Sequence, residues 1–239
     1  MIFEYLPLEQ AEKAEGVVVA VDVLRAFTTA AYAFAAGTPS ITMACEVEEA
    51  LALRRMNLGS RVMGEVGGQR VPQFDYSNSP SELAGASLSD VPLIQRTSAG
   101  TQGLVRAERA TILMAASLVV ASSTAAYVRR LGTYKVTFII TGWGHGELGD
   151  EDLACAEFIG VLANGGNPDQ RQVIERVQRS PAAQRMLEPG QKIYPPGDLA
   201  LCLGVDHFSF AMRAHRRDGR ITLARFERWG TGALRRWNI

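Results

Sequence analysis

Acidic and basic side chains follow the first strongly apolar run of the chain. Val17–Val21 is an unbroken apolar run, and Asp22-Val23-Leu24-Arg25 comes directly after it. An Asp at the end of a buried strand can ligate a metal while a neighbouring Arg binds an anion. The same spacing equally suits an Asp that caps a helix and has Arg25 as its ion-pair partner. Spacing alone leaves these two interpretations open.

A second acid lies in a glycine-rich turn that follows the short apolar run Arg61–Met63. The turn reads Gly64-Glu65-Val66-Gly67-Gly68. Paired glycines let backbone amides approach a ligand, which makes Gly67 and Gly68 candidate contacts. Glu65 is a candidate oxygen ligand for a hard cation. A tight turn without a ligand is the simpler alternative.

Two further turns combine hydroxyl, amide and charged groups. Phe74–Pro80 is rich in side chains that suit a polar substrate and that also build turns. Arg96–Thr101 follows the apolar run Pro92–Gln95 and places hydroxyls and a glycine at the predicted start of a helix. Free N–H groups and the helix dipole favour an anion there, although the segment is not a Walker sequence. A helix cap is the alternative.

The segment from Gly142 to Asp152 is both glycine-rich and acidic. Three of its glycines match the dinucleotide-binding pattern G-x-G-x-x-G: Gly144, Gly146 and Gly149. We reject that function because Glu147 and the run Asp150–Asp152 would repel a diphosphate. Acids at this place predict capping, a divalent metal or both. His145 is the one histidine in a candidate loop, where it is solvated or faces a substrate.

Several common kinds of catalytic site are disfavoured by what stands around these residues. A haloacid-dehalogenase-type phosphatase requires a second Asp where this chain has Leu24. Cys155 lacks the Cys-x5-Arg anion loop of a phosphatase nucleophile and is interpreted as structural. His207 and His215 have no metal-ligand spacing, which makes a zinc site improbable.

Short apolar runs alternate with helix-period segments over the first two thirds of the chain. This order predicts an α/β fold, a three-layer α/β/α arrangement around a mainly parallel sheet, with a mixed sheet as the variant. The predicted strands are Val17–Val21, Ser40–Met43, Arg61–Met63, Pro92–Gln95, Thr111–Met114 and Val136–Thr141. The predicted helices are Ala26–Ala36, Val47–Met56, Thr101–Glu108, Ser122–Leu131, Glu151–Ala163, Gln170–Val177, Ala182–Leu187 and Asp198–Leu203.

No linker or repeat divides the chain, so we expect a single domain over residues 1–239. In open α/β sheets, ligands bind beyond the carboxyl ends of the strands, where the turns described above lie. The Arg-rich segment from Arg213 to Arg236 is interpreted as a solvated surface or a contact with the acidic loop.

Composition excludes several classes of partner. The 239 residues carry 25 basic and 25 acidic side chains, and this zero net charge argues against nucleic acid and against an anionic membrane surface. The charge-free segment Ala110–Val128 contains too much Ala, Ser and Thr for a membrane span. Three cysteines and the absence of a basic leader indicate a reducing, cytoplasmic compartment. A homodimer is compatible with the sequence.

Taken in order, these turns resemble the 2-phosphosulfolactate phosphatase family over about residues 17 to 210. The resemblance is carried by D-V-L-R-A-x-T-T from Asp22 to Thr29, G-E-x-G-G from Gly64, F-D-x-x-N-S-P from Phe74, T-x-x-G-T from Thr97, E-D-x-x-C-A from Glu151, and a final run of Pro195, Asp198, Cys202 and Asp206.

The resemblance implies a Mg2+-dependent hydrolase that removes phosphate from 2-phospho-3-sulfolactate, a small phosphorylated acid. The implied metal ligands are Asp22, Glu65, Asp75, Glu151 and Asp152. The implied catalytic residues are Asp22, Arg25 and Glu65, with Asp22 expected to orient water or attack phosphorus. The implied substrate contacts are Arg25, Gly67, Gly68, Asn78, Ser79, Arg96, Thr97, Ser98, Gly100 and Thr101.

The chain departs from the family pattern beside the expected pocket. Members of the family usually carry Arg where Val66 stands, Asn at Ala99, Thr at Arg96 and Gly at Glu157. The alternative function is therefore a non-catalytic protein that binds a small phosphorylated or carboxylated metabolite. Because a pure anion binder would gain from losing its acids, their retention favours the enzyme.

Overall fold

The structure is a computed structural model that describes residues 1–142 and 149–227. The strands are β1 Ile2–Pro7, β2 Glu15–Val21, β3 Ile41–Met43, β4 Arg61–Val66, β5 Gln69–Arg70, β6 Tyr76–Ser77, β7 Leu93–Arg96, β8 Arg109–Ala116, β9 Lys135–Ile140, β10 Phe210–Arg217 and β11 Arg220–Glu227. The helices are α1 Ala26–Ala35, α2 Val47–Met56, α3 Pro80–Leu83, α4 Gly100–Arg106, α5 Ala121–Arg130, α6 Asp150–Ala163, α7 Gln170–Arg179, α8 Pro181–Leu187 and α9 Asp198–Cys202. The α/β fold with a mixed, mostly parallel sheet between helices is confirmed.

Two parallel blocks of strands make up the sheet, and an antiparallel hairpin joins them. The strand order is β1-β9-β2-β8-β10-β11-β3-β7-β4-β5, and β6 pairs with β4. The ladders β8–β10, β10–β11 and β11–β3 are all antiparallel. The two parallel blocks consequently run in opposite senses along the sheet, so a flat sheet would place their carboxyl ends at opposite edges.

The buried helix α1 brings the two blocks together. Nine of its ten residues are buried, as is typical of a helix that is surrounded by core. Five strand spacings separate β2 from β7, about 24 Å if the sheet were flat. Nevertheless, the Gln95 side chain of β7 donates a hydrogen bond to the carbonyl of Ala26, 2.9 Å away, directly after β2. The twisted sheet must therefore curve around α1.

Alternating side chains of β2 show how the two faces are filled. Val18 and Ala20 pack into the core around α1, whereas Val19 and Val21 pack against α5 and α6 on the opposite face. In the other block, Val62 and Ile94 pack against α2. These contacts give three layers, with helices on both faces of the sheet.

Over its described residues, the Arg-rich segment is a solvated surface as predicted, but its backbone forms a strand pair that was not predicted. Of its five described arginines, four are exposed, namely Arg216, Arg217, Arg220 and Arg225. Phe210–Arg217 and Arg220–Glu227 form the central hairpin of the sheet. Asp218 and Gly219 both have positive φ, as a two-residue type I′ turn requires. The signal was present in the alternation of apolar and basic residues on either side of this Asp-Gly pair.

Three other strands were not predicted from the sequence. They are β1, which pairs with β9 at one edge of the sheet, and the two-residue strands β5 and β6. Within the described ranges, no helix is long and apolar enough to cross a membrane.

Candidate functional site

Asp22 directly follows β2, and its carboxylate caps α1. The ion pair with Arg25 that accompanied the capping interpretation is wrong, because Arg25 is paired with Asp198. The Oδ1 of Asp22 accepts a 2.8 Å hydrogen bond from the amide of Ala26. A Cβ placed on Gly100 would lie 2.7 Å from its Oδ2, and glycine at this position lets α4 approach the carboxylate. Burial raises the pKa of Asp22 to about 7, and the charges of Glu65 and Glu151 contribute to this rise.

Asp152 lies beside Asp22 in the first turn of α6. Its Oδ1 accepts a 2.7 Å hydrogen bond from the amide of Val23, which joins α6 to the end of β2. The side chain is 1% exposed. Burial raises its pKa well above the usual range, and the charges of Glu151 and Asp22 raise it further. The structure therefore brings together two of the acids that were expected to ligate the metal.

Glu151 is the third buried acid of this group. Burial raises its pKa, while the Ser180 hydroxyl and the positive charge of Arg185 oppose the rise. Close packing of Gly142 on Gly149 surrounds it, since a Cβ on either glycine would come within about 3 Å of its Oε1. We call Asp22, Glu151 and Asp152 the buried acid group. His145 and Glu147 of the same loop lie outside the described residues.

Glu65 extends from β4 and is fixed by donors from two turns. Gly68 donates its amide to Oε2, and Ser98 donates its amide to Oε1 and its hydroxyl to Oε2. The amide of Gly67 in turn donates to the Ser98 hydroxyl at 2.9 Å. Gly68 and Ser98, both predicted substrate contacts, thus hold Glu65 directly, and Gly67, a third, holds it through the hydroxyl of Ser98.

Arg96 and Gly64 join the turns around Glu65. The Arg96 guanidinium donates to the carbonyls of Glu65, at 2.8 Å, and of Cys45, at 3.1 Å. Gly64 has φ of +140°, and a Cβ there would lie 1.8 Å from the carbonyl oxygen of Arg96, so the close approach of β4 to β7 requires glycine.

Arg25 forms a buried ion pair with Asp198. The Nη1 of Arg25 lies 2.6 Å from Oδ2 of Asp198, and these side chains are 3% and 0% exposed. The other oxygen of Asp198 accepts from the hydroxyl of Ser79 at 2.7 Å and from the amide of Ser81 at 3.1 Å. The ring of Tyr194 covers the guanidinium, with its centroid 4.8 Å from Cζ. Arg25 is therefore held from several sides at the start of α1.

Asn78 and the two threonines of the T-x-x-G-T turn differ in how their polar groups are used. The Oδ1 of Asn78 is buried and has no hydrogen-bond partner among residues 1–142 and 149–227. Thr97 and Thr101 instead satisfy each other, each amide donating to the other's hydroxyl at 3.0 Å. Of these three, Asn78 keeps a buried acceptor free for a ligand.

Among the described residues, Asp75 is the one predicted metal ligand that forms an ion pair with a basic side chain. Its Oδ2 accepts from the amide of Val62, near the beginning of β4, at 2.8 Å, and its carboxylate is paired with Arg54. The other four predicted ligands follow the carboxyl ends of β2 and β4 or begin α6. These contacts assign Asp75 to the attachment of β6 and α2 to β4.

The buried acid group contains carboxylate oxygens, the ligand type that a divalent cation prefers. In the described ranges, no group of three or more His, Cys, Asp or Glu side chains is found in an arrangement that could hold a metal ion. Mg2+ is usually bound by one or two carboxylates, with waters and substrate phosphate completing its shell. Asp22 and Asp152 supply such carboxylates. Arg25 is close to Asp22 in sequence, but its guanidinium is paired with Asp198 and not with these acids.

Sequence reasoning did not find the supporting residues Tyr194 and Ser180, and it found Asp198 only through the family pattern. These three lie in the irregular last third of the chain. Near Tyr194 and Asp198, the local sequence signal is the Pro195-Pro196-Gly197 turn. It predicts a loop but does not show which residues the loop contacts.

Comparisons with known proteins find relatives over most of the chain. The family model described as 2-phosphosulpholactate phosphatase matches residues 4–215. A Bacillus subtilis protein named "Probable 2-phosphosulfolactate phosphatase" is 31% identical over 85% of this chain and 88% of its own length. A Carboxydothermus hydrogenoformans protein of the same name is 32% identical over 90% and 93%. The chain therefore belongs to the 2-phosphosulpholactate phosphatase family.

Proposed function

We propose that this protein is a Mg2+-dependent phosphatase that hydrolyses the phosphate monoester of a small 2-hydroxy acid, 2-phospho-3-sulfolactate in the first place. The observation that carries the proposal is the buried acid group of Asp22, Glu151 and Asp152. The guanidinium of Arg25, three residues after Asp22, is fixed by Asp198. Membership of the family, and the names of the relatives, support the choice of substrate.

Burial of three carboxylates together is costly unless a positive charge compensates them. Each is penalised by desolvation, and each is repelled by its neighbours. A bound divalent cation removes both penalties, and carboxylate oxygens are the ligands that it prefers. We infer that Asp22 and Asp152 hold Mg2+ directly or through water, with Glu151 and Glu65 as further acids near it.

When bound, Mg2+ would neutralise phosphate charge and polarise the bond to the leaving oxygen. Arg25 binds an oxygen of the phosphate or carboxylate group with the N–H groups that Asp198 leaves free. Asp22 orients the attacking water or attacks phosphorus itself, because it lies at the end of β2 beside Arg25. Asn78 accepts a hydrogen bond from the substrate through its unpartnered Oδ1.

Glu65 and the turns that hold it form the opposite wall of this site. Because its carboxylate accepts two amides and a hydroxyl, Glu65 is held in one orientation near Asp22. Gly67, Gly68 and Ser98 are oriented by the same contacts. The site is thus organised before substrate arrives, as electrostatic catalysis requires.

The test is phosphate release from 2-phospho-3-sulfolactate, 2-phospholactate and the phosphoglycerates, with Mg2+ and with EDTA. We expect release from at least the first ester, and we expect EDTA to abolish it. Release that is indifferent to EDTA would refute the metal. No release from any ester, together with binding of the same esters, would establish the non-catalytic binder.

A further inference from the structure

A groove opens next to the proposed phosphate site, between the turn that follows Glu65 and the loop before α9. Its volume is about 350 Å3, and Gly68, Lys192 and Tyr194 are among the residues that line it. Tyr194 connects the groove to the site. Its ring covers the guanidinium of Arg25, and its hydroxyl would lie 3.4 Å from a Cβ on Gly68.

The loop that forms one wall of the groove is held in a defined shape by the side chain of Gln191. The Nε2 of Gln191 donates to the carbonyls of Met186, at 3.1 Å, and Tyr194, at 2.9 Å. Its Oε1 accepts from the amide of Tyr194 at 2.8 Å. Lys192 lies between these anchored residues, so the position of its backbone in the loop is defined.

Lys192 is the cation of this groove that remains available for a ligand. Arg70 on the opposite wall is paired with Glu82 at 2.9 Å, and Glu82 also accepts from the amide and hydroxyl of Ser77. Lys192 is exposed and forms neither a hydrogen bond nor an ion pair with the part of the chain that the structure describes. The groove therefore carries one uncompensated positive charge.

We infer that this groove is the subsite for the third anionic group of the substrate, a sulfonate, and that Lys192 is its specificity-determining residue. The inference rests on the proposed function. Phosphate and carboxylate occupy Arg25 and the proposed metal site, and a third anionic group needs a cation within the length of a three-carbon chain. A sulfonate stays ionised throughout the physiological pH range, so it pairs with an ammonium group at any working pH.

The first arm of the test compares 2-phospho-3-sulfolactate with 2-phospholactate, which lacks the sulfonate. We expect Lys192→Ala to lower the ratio of kcat/KM for the two esters about fivefold, through KM, because a partly solvated ion pair contributes about 1 kcal/mol. Lys192→Arg should keep most of the ratio. Lysine is rare in this chain, and exposed Lys13 provides a matched control, since Lys13→Ala should leave the ratio unchanged. An unchanged ratio in Lys192→Ala overturns the inference.

The second arm needs no turnover. Calorimetric titration with 3-sulfolactate and with lactate measures the preference for the sulfonate directly. We expect the wild-type protein to prefer 3-sulfolactate and Lys192→Ala to lose this preference, with the difference shrinking at high salt. If neither ester is hydrolysed but the preference depends on Lys192, the proposed function fails and this inference stands. If wild type shows no preference, the inference is overturned whatever the activity.

Discussion

Two groups of buried charge lie side by side at the end of β2, and they are compensated in different ways. Arg25 and Asp198 neutralise each other, and Ser79 and Ser81 saturate the remaining oxygen of Asp198. The buried acid group contains three carboxylates that accept from backbone amides and hydroxyls, and a basic side chain, Arg185, acts on Glu151. Neutral dipoles reduce the cost of burying a charge without removing it.

The difference indicates which part of the site is complete in the protein alone. Asp198 holds the guanidinium of Arg25 in position, and this ion pair forms without a ligand. The buried acid group reaches its lowest free energy either by taking up protons or by binding a cation. The proposed function assigns the cation to this group and the anion to the ion pair.

The largest effect is expected from removal of the central acid. Asp22→Asn should lower phosphate release at least about 1,000-fold, because it removes both a metal ligand and the group that acts on phosphorus or water. The Asn side chain can still accept the amide of Ala26, so the far-ultraviolet circular dichroism should stay that of the wild type. Turnover at the wild-type rate would place Asp22 outside the site.

Breaking the ion pair should damage stability and activity together. Asp198→Asn leaves the buried guanidinium of Arg25 without its counter-charge, and we expect it to cost about 3 kcal/mol of unfolding free energy. Urea denaturation measures this loss. The added mutation Arg25→Met should recover part of the stability and none of the activity, and recovery of both would show that Arg25 binds no substrate.

The buried acid group predicts an unusual dependence of stability on pH in the metal-free protein. Burial raises the pKa of Asp22 from its ordinary value of 3.8 to about 7, so the folded state binds more protons than the unfolded state between these values. The stability from this group is complete below pH 4 and is lost as the pH rises through 7. Thermal unfolding in EDTA should therefore show Tm falling over this range, and Mg2+ at pH 8 should restore it.

A flatter profile is expected for Asp152→Asn, which removes one of the mutually repelling charges while its Oδ1 still accepts the amide of Val23. This variant should be more stable than wild type in EDTA at pH 8. Lower stability than wild type under those conditions would contradict the description of the acid group as uncompensated.

The smallest effect on metal dependence is expected from substitution of Asp75, which is paired with Arg54 and is not part of the buried acid group. Asp75→Asn weakens the contact with Arg54 but keeps an acceptor for the amide of Val62. We expect Tm to fall by a few degrees and the Mg2+ concentration for half-maximal activity to stay within about twofold of wild type. A tenfold increase in that concentration would return Asp75 to the metal site.

Local sequence patterns predicted most strands of the parallel blocks, because β2, β3, β7, β8 and β9 are short apolar runs that each precede a helix. They failed for the Phe210–Glu227 hairpin, where the Arg residues masked the alternation of a strand pair. They also could not show that the two blocks run in opposite senses, because this depends on the hairpin inserted between them. The contact between Gly100 and Asp22 arises from the resulting curvature and has no local signal.

The same limit applies to the site. The types of Asp22, Glu65 and Asp152 and their positions after apolar runs predicted chemistry at the strand ends. Nothing in the spacing separated Asp75 from the other acids, since its partner Val62 is defined by the pairing of β4 with β6. Likewise, the cover that Tyr194 forms over Arg25 depends on the folding of an irregular loop.

Calorimetric titration with Mg2+ tests the central claim most directly, because it requires neither a substrate nor turnover. At pH 8, the wild-type protein and Asp75→Asn should each bind one Mg2+ per chain with similar affinity. Asp22→Asn and Asp152→Asn should bind it at least about tenfold more weakly, since each loses a carboxylate ligand. Equal affinity in all four proteins, or no binding to wild type, would contradict the assignment of the buried acid group as a cation site.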